Sequence, residues 1–257
     1  MPTLADIAGY LDTELNVATV PDYPGAVNGI QLANVGDITR VATAVDFSSY
    51  TTLAAVDAGA QLLLVHHGMF WGGVQAITGQ HYERLRALIN ANIAVYSAHL
   101  PLDVHATFGN NALLANRLGL TPSGGFARFQ TLSVGLSGEC DIGTSTLVAR
   151  AESLAHEHGG AVVTTPIDSD RMTRRWAVCT GAGASSSTLS EAVERGIDTL
   201  IVGEGPHHTA VQARDAGIAI IYAGHYATET LGVQALGTEL ERRFGVTSTF
   251  IDAPTGL

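Results

Sequence analysis

The sequence predicts an α/β protein built from two related halves, and three observations carry that prediction. Short apolar segments alternate along the chain with segments of helical periodicity. The apolar segments, such as QLLLV (61–65) and DTLIV (198–202), are continuously hydrophobic, as expected for largely parallel sheets covered on both faces in a three-layer α/β/α arrangement. Finally, AAVDAGAQLLLVHHG (54–68) aligns with EAVERGIDTLIVGEG (191–205), matching at Ala55/Ala192, Val56/Val193, Gly59/Gly196, Leu63/Leu200, Val65/Val202 and Gly68/Gly205.

Each element has a local reason. Thr3 and Asp6 form a capping-box-like start to a helix over 3–15, with Leu4, Ile7, Ala8, Leu11 and Leu15 at helical spacing. PDYPGAVNG (21–29) ends that helix as a loop. RVATAVDFS (40–48) is a strand running into a turn, followed by a helix over 49–58 and the strand 61–65. An amphipathic helix spans 80–91, AVYSA (94–98) is a short buried strand, and GNNALLANRLG (109–119) is a helix closed by Gly119. In the second half, WAVCTGAGASS (176–186) is a strand and turn, 189–195 a helix, 198–202 a strand and 208–216 a helix. AIIYA (219–223) is a buried strand and 228–243 a closing helix. The expected division is a first half over 1–125, with 226–257 packing on it, and a second half over 126–225. A shorter step aligns VYSAHLPLD (95–103) with IYAGHYATE (221–229), setting Tyr96 on Tyr222, His99 on His225 and Asp103 on Glu229.

Composition narrows the function. Hydrophobic residues make up 46% and charged residues 14% of the 257 positions, which excludes a disordered chain. A formal net charge of −11 argues against nucleic acid or an anionic membrane as partner. All 13 basic residues are Arg, so Schiff-base lysine chemistry and a P-loop are excluded. Isolated Cys140 and Cys179, no apolar run of signal length near the start, and none of membrane-spanning length predict a reduced, soluble, cytoplasmic protein.

Four motifs carry chemistry. His66 and His67 close an apolar strand, the end at which α/β sheets build sites, and imidazoles there suit Zn, Fe, Mn, Co or Ni. In SAHLPLDVH (97–105), Pro101 bars a continuing helix and predicts a shaped loop, in which Asp103 offers an oxygen ligand. His99 either ligates or orients a ligand. In AGHYATE (223–229), His225 and Glu229 share a face if a helix has begun, and Glu229 can bridge two cations. In GEGPHHT (203–209), Glu204 aligns with His67 and, with His207 and His208, offers an acid–base group, a ligand-orienting partner or an entrance ligand. His81, His105, His156 and His158 read as surface residues. GAGASS lacks dinucleotide-binding spacing and HEHGG is not a zinc-protease signature.

NGIQL (28–32), GAQLLLVHHGMFW (59–71), YSAHLPLD (96–103), GNNALLA (109–115), GEGPHHT and AGHYATE together resemble the dinuclear-metal-centre proteins. This family is also called NGG-interacting-factor-three-like, and its members are named GTP cyclohydrolase type 2 homologues. The resemblance spans almost the whole chain, in the short bacterial form that lacks an inserted middle domain. It implies two intertwined α/β halves with a dimetal site in the cleft between them, and a ring-shaped homohexamer. Carried over, His66 and His67 bind different metals, Asp103 joins one, His225 the other, and Glu229 bridges. Glu204 and His99 are the expected catalytic groups, and Asn28, His207, His208 and Tyr226 the expected substrate contacts. Two divalent ions against two ligand carboxylates leave a net positive site, favouring an anionic, nucleotide-like substrate. The leading expectation is therefore a metal-dependent hydrolase. A non-catalytic metal-binding or interaction ring, or an Fe/Mn redox enzyme, are the alternatives.

Overall fold

Three helices start where the sequence supplies a reciprocal capping box: Thr3 with Asp6, Ser48 with Thr51, and Ser185 with Thr188. A computed structural model describes residues 1–257. Its elements are α1 (Leu4–Glu14), β1 (Gly29–Leu32), β2 (Arg40–Asp46), α2 (Ser49–Asp57), β3 (Leu62–His67), α3 (Gly79–Asn90) and β4 (Ala94–Ser97). There follow α4 (Leu100–Asp103), α5 (Asn110–Arg117), β5 (Gly124–Phe129), β6 (Leu132–Gly143), α6 (Thr144–Glu157), β7 (Val163–Thr164) and β8 (Met172–Cys179). The chain ends with α7 (Ser186–Glu194), β9 (Thr199–Val202), α8 (His207–Asp215), β10 (Ala219–Tyr222), α9 (His225–Phe244) and β11 (Thr247–Phe250).

The contacts divide the chain into unit 1 (1–102 and 232–253) and unit 2 (103–231 and 254–257). Each unit holds one sheet, in the order β1-β4-β3-β2-β11 and β5-β6-β8-β9-β10-β7 respectively. The duplication is visible in the topology. Both sheets are built on a parallel β-α-β-α-β run, β2 to β4 in one and β8 to β10 in the other. In each, a preceding strand, β1 or β7, pairs antiparallel at the edge beside the last strand of the run. The connections then cross: β5 and β6, which follow the first run, belong to the sheet of unit 2, whereas β11, which follows the second, joins the sheet of unit 1.

Both faces of each sheet are covered, which is why the strands read as continuously apolar. In unit 1, Ala42, Ala44, Leu63, Val65 and Val95 pack with Ala55 of α2 and Leu88 of α3. On the opposite face the Tyr96 hydroxyl donates to Asp12 of α1 at 2.7 Å. In unit 2, Leu200, Val202 and Ile220 pack with Leu189 of α7 and Ala213 of α8. Trp176, Val178, Ile201 and Ile221 face Leu114 of α5, Leu118 just past its end, and Leu147 and Leu154 of α6. This packing of α5 puts residues 103–125 in unit 2, where the sequence reading grouped them with the first half.

Three local expectations change. The sheets are mixed, because β1 pairs antiparallel with β4, β7 with β10, and β6 with both β5 and β8; β6 is largely half-exposed and lacks the apolar run that marks a buried strand. Pro101 does not prevent a helix but sits in the first turn of α4, where its missing N–H needs no partner. Within the duplication, Leu62 pairs with Ala94 and Thr199 with Ala219, so Tyr96 corresponds to Ile221 rather than to Tyr222. One residue of slip changes the face: Tyr222 packs toward α7 and α8, and its hydroxyl lies 3.0 Å from Thr209.

Replacing Ser48 or Ser185 with Ala should each cost about 1 kcal/mol, because loss of the hydroxyl leaves the Thr51 or Thr188 N–H without its capping acceptor. Denaturant titration checks this; a change below a few tenths of a kcal/mol would contradict the capping role.

Candidate metal centre

β3 is buried at every position and ends in His66 and His67, whose ring centroids lie 4.7 Å apart. His66 Nδ1 lies 2.8 Å from the Ala98 carbonyl oxygen, just past β4. His67 Nδ1 lies 2.8 Å from Asp46 Oδ1, on the neighbouring end of β2. His99, which immediately precedes α4, completes the group: its ring centroid is 4.9 Å from that of His66. Its Nδ1 lies 2.8 Å from Asp22 Oδ1, and its backbone N–H donates to Asn28 Oδ1 at 2.7 Å. One ligand nitrogen from each of the three histidines falls within 4.8 Å of the others.

Asp22 is the hub of the loop between α1 and β1. It also accepts from Asn28 Nδ2 (2.8 Å), the Tyr23 N–H (2.6 Å) and the Leu100 N–H (2.9 Å). Burial works against its charge, but the His99 pairing and these hydrogen bonds outweigh it and hold the carboxyl below its usual range.

Unit 2 supplies a second donor group. Asp103, buried at the end of α4, accepts from Asn110 Nδ2 at 2.8 Å, and the Thr180 hydroxyl lies 3.5 Å from the same oxygen. α9 begins at His225, three residues before the predicted start, so His225 and Glu229 share its first turn. His225 Nε2 lies 3.1 Å from buried Glu229 Oε2, and its Nδ1 2.7 Å from Glu204 Oε1. Burial disfavours the imidazolium, yet Glu229 and Glu204 outweigh it and raise the His225 pKa to about 9. Gly181, at φ +60°, makes room for this pair: a Cβ there would overlap Glu229 Oε1 and come within 3.3 Å of His225 Nε2. The Cys179 thiol, buried near Asp103 and Glu229, is pushed up to about 12 by burial first and those charges second.

The donors suit a divalent cation. In four histidines Nδ1 meets an oxygen acceptor, which makes Nδ1–H the tautomer of the neutral ring and leaves Nε2 with the lone pair that a metal takes. Nitrogen atoms within 4.8 Å of one another lie close to the span of at most about 4.2 Å that ligand bonds of about 2.0–2.1 Å to a shared ion require.

Among the expected substrate contacts, Asn28 is engaged with His99 and Asp22. His207 and His208 are exposed on the first turn of α8. Tyr226 is buried edge-on against His158 with centroids 6.0 Å apart. Glu204 serves as the partner of His225, one of the roles the sequence left open. Of the histidines read as surface residues, only His156 is exposed: His81 is buried, His105 stacks on Phe108, and half-buried His158 meets Thr230. The sequence reading missed Asp22, Asp46, Thr180 and Gly181. Asp22 stood in a loop read only as a helix stop, and Asp46 in a strand end with no motif of its own. Asp22 and Asp46 stand with the histidines of unit 1, and Glu204 stands with His225 and Glu229 in unit 2, so each donor group brings carboxylates beyond the two ligands counted from the sequence.

The DUF34/NIF3 (NGG1p interacting factor 3) family model matches residues 2–255. The chain is 39% identical over 257 residues to the GTP cyclohydrolase 1 type 2 homolog of Halobacterium salinarum, covering 99% of each. It is 38% identical over 258 residues to the protein of that name from Deinococcus radiodurans, covering 98% of this chain and 94% of the relative. Among solved structures it resembles that of protein ybgI, of unknown function, with a TM-score of 0.88 and 32% identity over the whole of both chains.

Two substitutions probe these supports. Asp46→Asn should leave the fold intact and weaken metal binding by about 10–100-fold, because it loosens the His67 ring; unchanged affinity in a chelator competition would contradict the pairing. Gly181→Ala should lower bound metal by displacing Glu229, while circular dichroism stays native; wild-type metal content would refute that.

Proposed function

The chain belongs to the DUF34/NIF3 family, and on that premise we propose that it is a metal-dependent hydrolase of a nucleotide-like substrate. In this reading His66, His67, Asp103, His225 and Glu229 hold two divalent ions. The observation that carries it is the set of histidines locked at Nδ1, three of them clustered in unit 1 and one paired with Glu229 in unit 2. When bound, the metal pair supplies Lewis acidity and lowers the pKa of water toward neutrality.

The chain's own residues do the rest. Asp46, Glu204 and the Ala98 carbonyl hold three ligand rings in one tautomer and orientation, so little reorganisation is needed on loading. His99 is held the same way by Asp22 and supplies the acid–base group, accepting or releasing a proton at Nε2. Glu204 acts through His225 as a positioning residue. His207 and His208, exposed at α8, are the proposed contacts for the polar end of the substrate. The name shared by the relatives points to opening of a purine ring, which would release formate from GTP. The ring-shaped homohexamer implied by the family resemblance belongs to the same proposal.

Elemental analysis of the purified protein and of Glu229→Ala tests the metal reading: about two ions per chain are expected in the first, with clear loss in the second. Formate assay with GTP then tests the reaction. Bound metal without formate release under Zn, Fe, Mn, Co or Ni would sink that substrate; no metal in either protein would sink the site.

A further inference from the structure

Trp71 and Tyr23 stand exposed beside the histidines of unit 1. The chain's other tryptophan, Trp176, is wholly buried, whereas Trp71 is 41% and Tyr23 51% exposed. The Trp71 ring centroid lies 4.4 Å from that of His99 and 4.9 Å from that of His67. Tyr23 meets Trp71 edge-on, at 6.3 Å and 88°, and lies 6.1 Å from His99. Such exposure of two large aromatic rings against buried polar groups is not explained by core packing.

The rim is held in place. Gln31 staples two loops: its Oε1 accepts from the Met69 N–H at 2.7 Å, and its Nε2 donates to the carbonyls of Ala26 and Val27 at 3.0 and 2.9 Å. Gly68 has no side chain because that of Gln31 fills the space. Tight turns on either side of Trp71 close with hydrogen bonds from its own N–H to Gly68 and from the Gly73 N–H to Phe70. A Cβ on Gly25 would lie 3.1–3.2 Å from the carbonyl oxygens of Phe70 and Trp71, so the loop bearing Tyr23 packs directly against the backbone of Trp71. Tyr23 is in turn tied to Asp22, the partner of His99.

We infer that Trp71 forms a stacking platform for a planar purine base, with Tyr23 standing perpendicular to it as a side wall, and that this seats the heterocycle next to His67 and His99. This deepens the nucleotide-like reading proposed above and rests on it. Rigid aromatic rings bind any base through its π-face at low entropic cost, a mode suited to a chain with no Lys.

The test uses the metal-loaded protein. Because Trp71 is exposed and Trp176 buried, fluorescence quenching reports on Trp71. Guanosine 5′-monophosphate should quench saturably and ribose 5-phosphate should not. By equilibrium dialysis, Trp71→Ala should bind guanosine 5′-monophosphate about ten-fold or more weakly, at unchanged metal content and sedimentation, and Trp71→Phe should restore most of the loss. The inference is overturned if ribose 5-phosphate binds as tightly as the nucleotide. It is overturned equally if Trp71→Ala keeps wild-type affinity, including the case in which that variant instead alters sedimentation, which would mark Trp71 as a contact with a second copy. Base-dependent binding without formate release from GTP would uphold the platform and sink GTP as the substrate hydrolysed, so the two fail separately.

Discussion

Anchoring of imidazole Nδ1 by an oxygen atom is the interaction on which the candidate site depends. Ala98 does this for His66, Asp46 for His67, Asp22 for His99 and Glu204 for His225. A ring held only at Cβ turns about two torsions, and burying it without a partner is costly. The anchors remove both problems at once: they satisfy one nitrogen, choose the tautomer, and leave the other nitrogen with its lone pair. Three of the four acceptors are carboxylates, which also make the rings better donors.

Those carboxylates have a cost that explains other features. Asp22 keeps its charge despite burial because four hydrogen bonds converge on it, two of them from backbone N–H groups. Glu229 sits close to His225, and this pair together with Glu204 holds a proton on the ring to a pKa of about 9. A cation in place of that proton would satisfy the same carboxylates. The Trp71–Tyr23 rim beside His67 and His99 is held in place by neutral contacts instead, through the Gln31 amide and the close approach of Gly25.

Much of the scaffold was legible because local physics repeats along the chain. The Thr3–Asp6 box read from the sequence starts α1, and the apolar runs 61–65 and 198–202 are the central strands β3 and β9. His66, His67, His225 and Glu229 stood out because polar groups at the end of an apolar strand are hard to place otherwise. Strands β5, β6 and β7 were not legible, since β5 and β7 lie at the edges of their sheet and β6, between β5 and β8, is largely half-exposed, and such segments carry little hydrophobic pattern. Nor was the one-residue offset between Tyr96 and Tyr222, because register depends on which carbonyl meets which N–H across strands.

The sequence by itself determined the α/β class, the repeated β-α-β-α-β run and the residue types able to hold a metal, because capping, periodicity and donor chemistry are properties of short segments. Only the tertiary structure decided that Asp22 belongs to His99, Asp46 to His67 and Glu204 to His225, pairs 77, 21 and 21 positions apart. It also decided that Gly181 clears space for Glu229 and that Trp71 roofs two histidines. Such pairings arise where loops and strand ends meet, and nothing in the spacing of a linear chain records which of its many carboxylates will face which imidazole.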